Sequence, residues 1–113
     1  LELDTHIGAH LITQDWQGTG LKKLSRFFFN EEMITYEDVV KAHKYKDFSY
    51  VPVDLAAVYS CADSYQTFRL VDVIEKAFKK EKKIAELYAT IEHPLIQVLY
   101  EMEKHGVYLD VPL

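Results

Sequence analysis

Tyr59-Ser60-Cys61-Ala62-Asp63 is the stretch whose residue types and spacing could most readily do chemistry. On a helix, residues at i and i+4 stand on one face, about 40° apart at roughly 100° per residue. A carboxylate at the edge of an apolar stripe can be partly shielded and still reach a cleft, where it could bind a hard divalent cation through oxygen. A tyrosine hydroxyl one turn away both donates and accepts, so it could hold and orient a water. By spacing alone the signal is weak, since a core tyrosine followed by a boundary aspartate is the ordinary origin of such a pair. His6 and His10 also stand at i, i+4, a spacing able to hold a transition metal. No third ligand is apparent beyond the nearby Asp4, and ordinary surface histidines account for the pair. Cys61, the one cysteine, reads as a small buried hydrophobe inside a helix, without the setting that activates a thiol.

The elements that must carry these residues are almost all helical. Asp4 or Thr5 caps a first helix with Ile7, Leu11 and Ile12, ending near Gln14. A second covers residues 21–29, with Leu21, Leu24, Phe27 and Phe28 on one face and Asn30 as terminator. Thr35 and Asp38 form a weak capping box for a short third helix through Val39, Val40 and Ala42. Residues 43–52 read as loop. Asp54 is then the predicted cap of the longest helix, reaching about Lys80, with Leu55, Val58, Tyr59, Ala62, Tyr65, Val73 and Ala77 as its apolar stripe. A further helix is predicted over 82–92. Pro94 should kink it or open a new one, and Gly106 should end the last helix in a left-handed cap. Val107, Tyr108 and Leu109 lean towards strand.

The 113 residues suffice for one small domain, and 49% hydrophobic with 27% charged is ordinary for a soluble globular chain. A net charge of −5 is not the footprint of a free-standing nucleic-acid binder. The basic residues nonetheless cluster: Lys22, Lys23 and Arg26; Lys41, Lys44 and Lys46; and Lys76, Lys79, Lys80, Lys82 and Lys83. Such runs are usually solvated faces, with local phosphate contact as the alternative. One cysteine excludes an internal disulfide and fits a reducing compartment. No apolar run is long enough for a membrane span, so no membrane partner is expected. The chain opens on Leu1-Glu2-Leu3-Asp4 without a methionine, and an excised piece of a longer protein is the expectation.

The stretch 91–110 changes the weighting. Glu92, Pro94, Leu95, Val98, Leu99, Met102, Glu103, Gly106 and Asp110 stand at fixed gaps in a pattern that resembles the opening of the polymerase domain in family A DNA polymerases. Counting back, Tyr59, Asp63 and the segment Thr67-Phe68-Arg69-Leu70 resemble the third motif of the 3'-5' exonuclease in that family. Asp4-Thr5 resembles the start of the helix after the second motif. Leu21 with Leu24-Ser25, then Thr35-Tyr36-Glu37-Asp38, resemble the steps that follow. The resemblance runs from Asp4 to Asp110.

The resemblance implies a mainly α fragment. It would be the C-terminal part of a ribonuclease-H-like α/β 3'-5' exonuclease domain (1–86), followed by the start of a polymerase domain (87–113). It implies that Tyr59 positions the attacking water and that Asp63 is a catalytic carboxylate and metal ligand. The parent would use Mg²⁺ or Mn²⁺, with two metals hydrolysing the terminal phosphodiester of a single-stranded 3' end. Its partners would be that strand, primer-template DNA and deoxynucleotides, and its setting replication and repair in the bacterial cytoplasm at the nucleoid. On this register the first two exonuclease motifs lie before Leu1, so three of four carboxylates are absent and the fragment alone is expected to bind no metal and to be inactive. Ala62 departs from the pattern, standing where many members carry an acidic residue. A remnant without its sheet has apolar faces to cover, which leaves self-association or partial melting open. The alternative is a non-catalytic helical interaction module that presents Phe27, Phe28, Phe29, Tyr65 and Phe68 to a protein partner.

Overall fold

The computed structural model describes residues 2–112. Six α-helices follow one another: α1 (Thr5–Ile12), α2 (Leu21–Phe29), α3 (Tyr36–Val40), α4 (Val53–Lys80), α5 (Lys82–Leu87) and α6 (His93–His105). No strand occurs among the described residues, so the mainly helical expectation holds and the strand-leaning tail 107–109 does not pair.

Local chemistry sets the start of α1, the end of α2 and the start of α3. The Asp4 carboxylate accepts hydrogen bonds from the His6 and Ile7 amides at 2.9 and 3.1 Å, which satisfies two donors that a helix start leaves without partners. Asn30 closes α2 in the left-handed region at φ 52°, and its amide returns to the Arg26 and Ser25 carbonyls. Thr35 and Asp38 form a full capping box: the Asp38 amide donates to the Thr35 hydroxyl and the Thr35 amide to the Asp38 carboxylate. Hydrogen bonding to the carboxyl from the Thr35 backbone, and after it from the Thr35 side chain, holds Asp38 below its ordinary range.

Other boundaries differ from the sequence reading. Within the expected loop, Phe48–Tyr50 forms a single 3-10 turn, started by the Asp47 side chain on the Ser49 amide. Pro52, not Asp54, is the cap of α4, and Asp54 sits inside its first turn, where a carboxylate suits the positive end of the helix dipole. Pro94 stands in the first turn of α6, as expected of a proline that opens a helix, although the chain stays helical from α5 into it. Proline has no amide to give and its ring crowds the preceding turn. The chain from α5 to α6 accommodates it by widening into a π turn over Tyr88–Glu92, closed by the His93 amide on the Tyr88 carbonyl. Gly106 takes φ 74° and ψ −176°, an extended mirror-image conformation rather than the left-handed helical one, and its amide bonds the Met102 carbonyl.

Two clusters hold these elements together. In one, Ala9 of α1 and Leu24 of α2 pack on Leu70 and Ile74 of α4, flanked by Leu3, Ile12, Leu21, Phe28, Phe29 and Phe78. In the other, Val39, Val40 and Val51 pack on Tyr45, Phe48, Leu55, Ala56 and Tyr59. The long helix is therefore the spine, with α1 and α2 against its C-terminal half and α3 with the 3-10 turn against its N-terminal half. Tyr88 ties the π turn to the start of the chain. Its buried ring packs on Phe78 at 5.4 Å and its hydroxyl accepts from the Asp4 amide at 2.7 Å. Tyr88 is the last buried residue among those described, and α6 buries none of its side chains.

Candidate active site

The face that α4 turns inward is only in part the one its apolar residues outline. Gln66, Leu70 and Ile74 are its buried residues, and Asp63 and Tyr59 continue that line one and two turns earlier, half-buried. The spacing 59, 63, 66, 70, 74 keeps a helical period. Val58 and Tyr65, read from sequence as part of the stripe, are exposed. Cys61 is also exposed, a correction to its expected burial. It lies two residues from Tyr59, about 200° around the helix from the inward line.

Tyr59 and Asp63 are thus brought together, as their spacing predicted. Between them stands a group that sequence reasoning missed. The Lys22 ammonium of α2 donates to Asp63 Oδ1 at 3.1 Å and lies 4.8 Å from the centre of the Tyr59 ring. One cation therefore serves a carboxylate and an aromatic face at once. The Lys22 and Asp63 side chains are 31% and 35% exposed, so water screens the pair and it is worth only about 0–1 kcal/mol. The other side of Tyr59 is fixed by Phe48 of the 3-10 turn, with ring centres 5.6 Å apart. Forty-one residues separate Lys22 from Asp63. The lysine had only its place in a basic cluster to mark it, and no local pattern could have paired the two.

A second polar group sits one turn further along α4. Glu31, just after α2, accepts from Gln66 Nε2 at 2.6 Å and from Arg69 Nη1 at 2.7 Å. Arg69 also donates to Gln66 Oε1 at 3.0 Å and stacks 4.0 Å from the Phe29 ring centre. The network locks the end of α2 to the Arg69 turn of α4. The Arg69 hydrogen bond, and after it the Gln66 one, hold the Glu31 carboxyl below the ordinary glutamate range against an opposing push from burial. A carboxylate whose value is depressed on folding stabilises the fold above its unfolded value of about 4.3, and that contribution is lost as pH falls through the folded value. Replacing Glu31 with Gln is therefore expected to lower the melting temperature at neutral pH and to flatten its decline below about pH 4.5. Melting curves of both chains across that range decide it, and parallel declines would mean Glu31 is not the group that titrates.

The histidine pair stays apart from this site. His6 and His10 are exposed on α1, and a His6 ring nitrogen lies 2.7 Å from the Thr19 hydroxyl. Among the described residues no three His, Cys, Asp or Glu side chains converge in a way that could hold a metal ion. Asp63 contributes one carboxylate with a lysine already on it. A hard divalent cation takes several oxygen ligands, so the residues of this chain do not by themselves fit one. No described helix is long and apolar enough to cross a membrane.

Known proteins agree with the sequence resemblance. No family model matches the chain, and no solved structure matches it significantly. Curated relatives do. The chain is 36% identical over 107 residues to DNA polymerase I of Borreliella burgdorferi, with 95% of this chain and 11% of that protein covered. It is 35% identical over 113 residues to DNA polymerase I of Chloroflexus aurantiacus, with 97% and 12% covered. To DNA polymerase I of Treponema pallidum it is 34% identical over 106 residues, with 94% and 10% covered. The chain is therefore similar to bacterial DNA polymerases. More narrowly, it is related over nearly its whole length to one segment of DNA polymerase I, and it spans about a tenth of the length of those relatives.

Proposed function

We propose that this chain is the part of a DNA polymerase I in which a 3'-5' exonuclease domain (1–86) passes into the polymerase domain (87–113). The parent would synthesise DNA on a template from deoxynucleotides, in replication and repair in the bacterial cytoplasm, and would remove mispaired 3' ends. The observation that carries the exonuclease reading is the meeting of Tyr59 and Asp63 on the inward face of α4, around a single ammonium. Asp63 would supply one carboxylate of a site for Mg²⁺ or Mn²⁺ whose other ligands come from elsewhere in the parent, and Tyr59 would hold the water that attacks the strand. The burial pattern supports the division, since Tyr88 is the last buried residue and, among the described residues beyond it, only Glu92 and His93 are even half-buried. The helical interaction module has one observation in its favour. Of its aromatic set Phe27, Tyr65 and Phe68 are exposed, whereas Phe28 and Phe29 pack on the core. The fragment reading accounts for the exposed rings as faces meant for the rest of the parent.

The 113-residue chain itself is expected to release no nucleotide from a 3'-labelled single strand in Mg²⁺ or Mn²⁺, because one carboxylate cannot replace several ligands. Robust hydrolysis, abolished by Asp63→Ala, would overturn the fragment reading.

A further inference from the structure

Among the described residues no protein group hydrogen-bonds the Tyr59 hydroxyl, so the packing of its ring alone sets where it points. We propose that Phe48 is the positioning residue for that hydroxyl, its ring holding the Tyr59 ring at the angle from which a water is presented to the strand. This role rests on the exonuclease reading of Tyr59 and Asp63. The two contacts on the Tyr59 ring are unequal. One is the Lys22 ammonium, 4.8 Å from the ring centre, at the end of a flexible stem. The other is the Phe48 ring, 5.6 Å away and tilted by 56°, a favourable geometry for an aromatic pair. A point charge on four methylenes tolerates rotation of the ring, whereas a second ring resists it.

Phe48 can act as a wall because its own turn is tied at both ends. The Asp47 carboxylate accepts from the Ser49 amide at 2.9 Å and from the Ser49 hydroxyl at 2.5 Å. The Val51 amide donates to the Phe48 carbonyl at 3.1 Å, and Val51 is buried with Val39 and Val40. Tyr36 backs the ring as well, stacked on Phe48 with 6.2 Å between centres and 26° between planes. Tyr36 is the first residue of α3, whose start is held by the capping box of Thr35 and Asp38. Rings from α3, the 3-10 turn and α4 therefore form one ladder, and its last rung stands beside Lys22 and Asp63. A water that attacks a phosphodiester must be held in line with the bond that breaks, and small errors in such placement are costly. Tyr59 has only its ring packing with which to meet that demand.

The test is the kinetics of 3' nucleotide removal by the full-length polymerase. Tyr59→Phe, which deletes the hydroxyl, should lower kcat by roughly 10²-fold. Phe48→Leu keeps the apolar bulk and removes the ring. It should lower kcat about 2- to 10-fold, the worth of one aromatic pair, and leave KM unchanged, because the strand is not what Phe48 holds. Phe48→Tyr keeps the ring and should digest at the parent rate. Primer extension and melting temperature of the same preparations report that each variant is folded, and Phe48→Met replaces the leucine variant if that one melts early. The double variant decides between positioning and a merely structural role. With no hydroxyl left to aim, Phe48→Leu should lower kcat no further in a Tyr59→Phe chain. The same proportional loss in both backgrounds, or a parent rate for Phe48→Leu while Tyr59→Phe is slow, overturns the positioning role and leaves the exonuclease reading standing. A parent rate for Tyr59→Phe removes the role of Tyr59 in that reading and the positioning role with it.

Discussion

Asp63→Ala in the full-length polymerase is expected to slow removal of a mispaired 3' nucleotide by roughly 10²- to 10³-fold, the range for deleting one group that stabilises charge in a transition state. Extension of a matched primer should stay within about twofold, because a single substitution at a half-buried site on a long helix has no route to a separate catalytic centre. The structural alternative is that Asp63 serves only to anchor Lys22 and so to seat α2 on α4. That role makes a different prediction. The ion pair would be lost equally by Lys22→Met, so both substitutions would slow digestion alike, and each would cost no more than about 1 kcal/mol of stability. If Asp63 acts on the reacting phosphate, Lys22→Met leaves a usable carboxylate and the two variants separate by at least tenfold. Asp63→Asn keeps the shape and removes the charge, and should behave like alanine. Digestion that continues at the parent rate in Asp63→Ala would show that the carboxylate is not part of the site, however well Tyr59 and Asp63 are aligned.

What could be read beforehand follows how far apart the deciding groups lie in sequence. The ends of α1, α2 and α3 were legible because Asp4, Asn30, and Thr35 with Asp38 act on amides a few residues away. The pairing of Tyr59 with Asp63 was legible because one helical turn joins them. The inward face of α4 was legible only in part, because its contacts are partly polar. Gln66 is buried against Glu31, and Asp63 is turned towards Lys22, so hydrophobicity pointed to Val58 and Tyr65 on the wrong side. Cys61 was misplaced by the same error of phase. The π turn before Pro94 was legible only as a disturbance, since proline excludes one hydrogen bond without saying which replaces it.

The close approach of Gly8 of α1 to Ile74 of α4 in the core should give a large stability effect. Ile74 is fully buried, and Ile74→Ala is expected to cost about 2–5 kcal/mol through lost transfer energy and the cavity left behind. For a domain stable by roughly 5–15 kcal/mol that is a large share. Gly8→Ala is the more informative change. In an open helix it would stabilise by about 0.5–1 kcal/mol through reduced backbone freedom. Here the new methyl would meet Ile74 Cγ2 at 2.9 Å and Cδ1 at 3.2 Å, with Leu3 Cδ1 at 3.5 Å behind it. Overpacking of that kind costs about 1–3 kcal/mol and outweighs the propensity gain, so the single variant should be less stable. Combined with Ile74→Ala, the clashing atoms are gone and the methyl fills part of the cavity. The double variant should then be more stable than Ile74→Ala alone, and denaturant titrations of the four chains should give a favourable coupling of about 1–3 kcal/mol. Additive effects, or a Gly8→Ala chain more stable than its parent, would mean that α1 slides on α4 and that glycine is not what sets their approach. A favourable coupling would place the α1–α4 contact, and with it the hold of Asp4 on Tyr88, among the features that keep the Tyr59–Asp63 face turned inward.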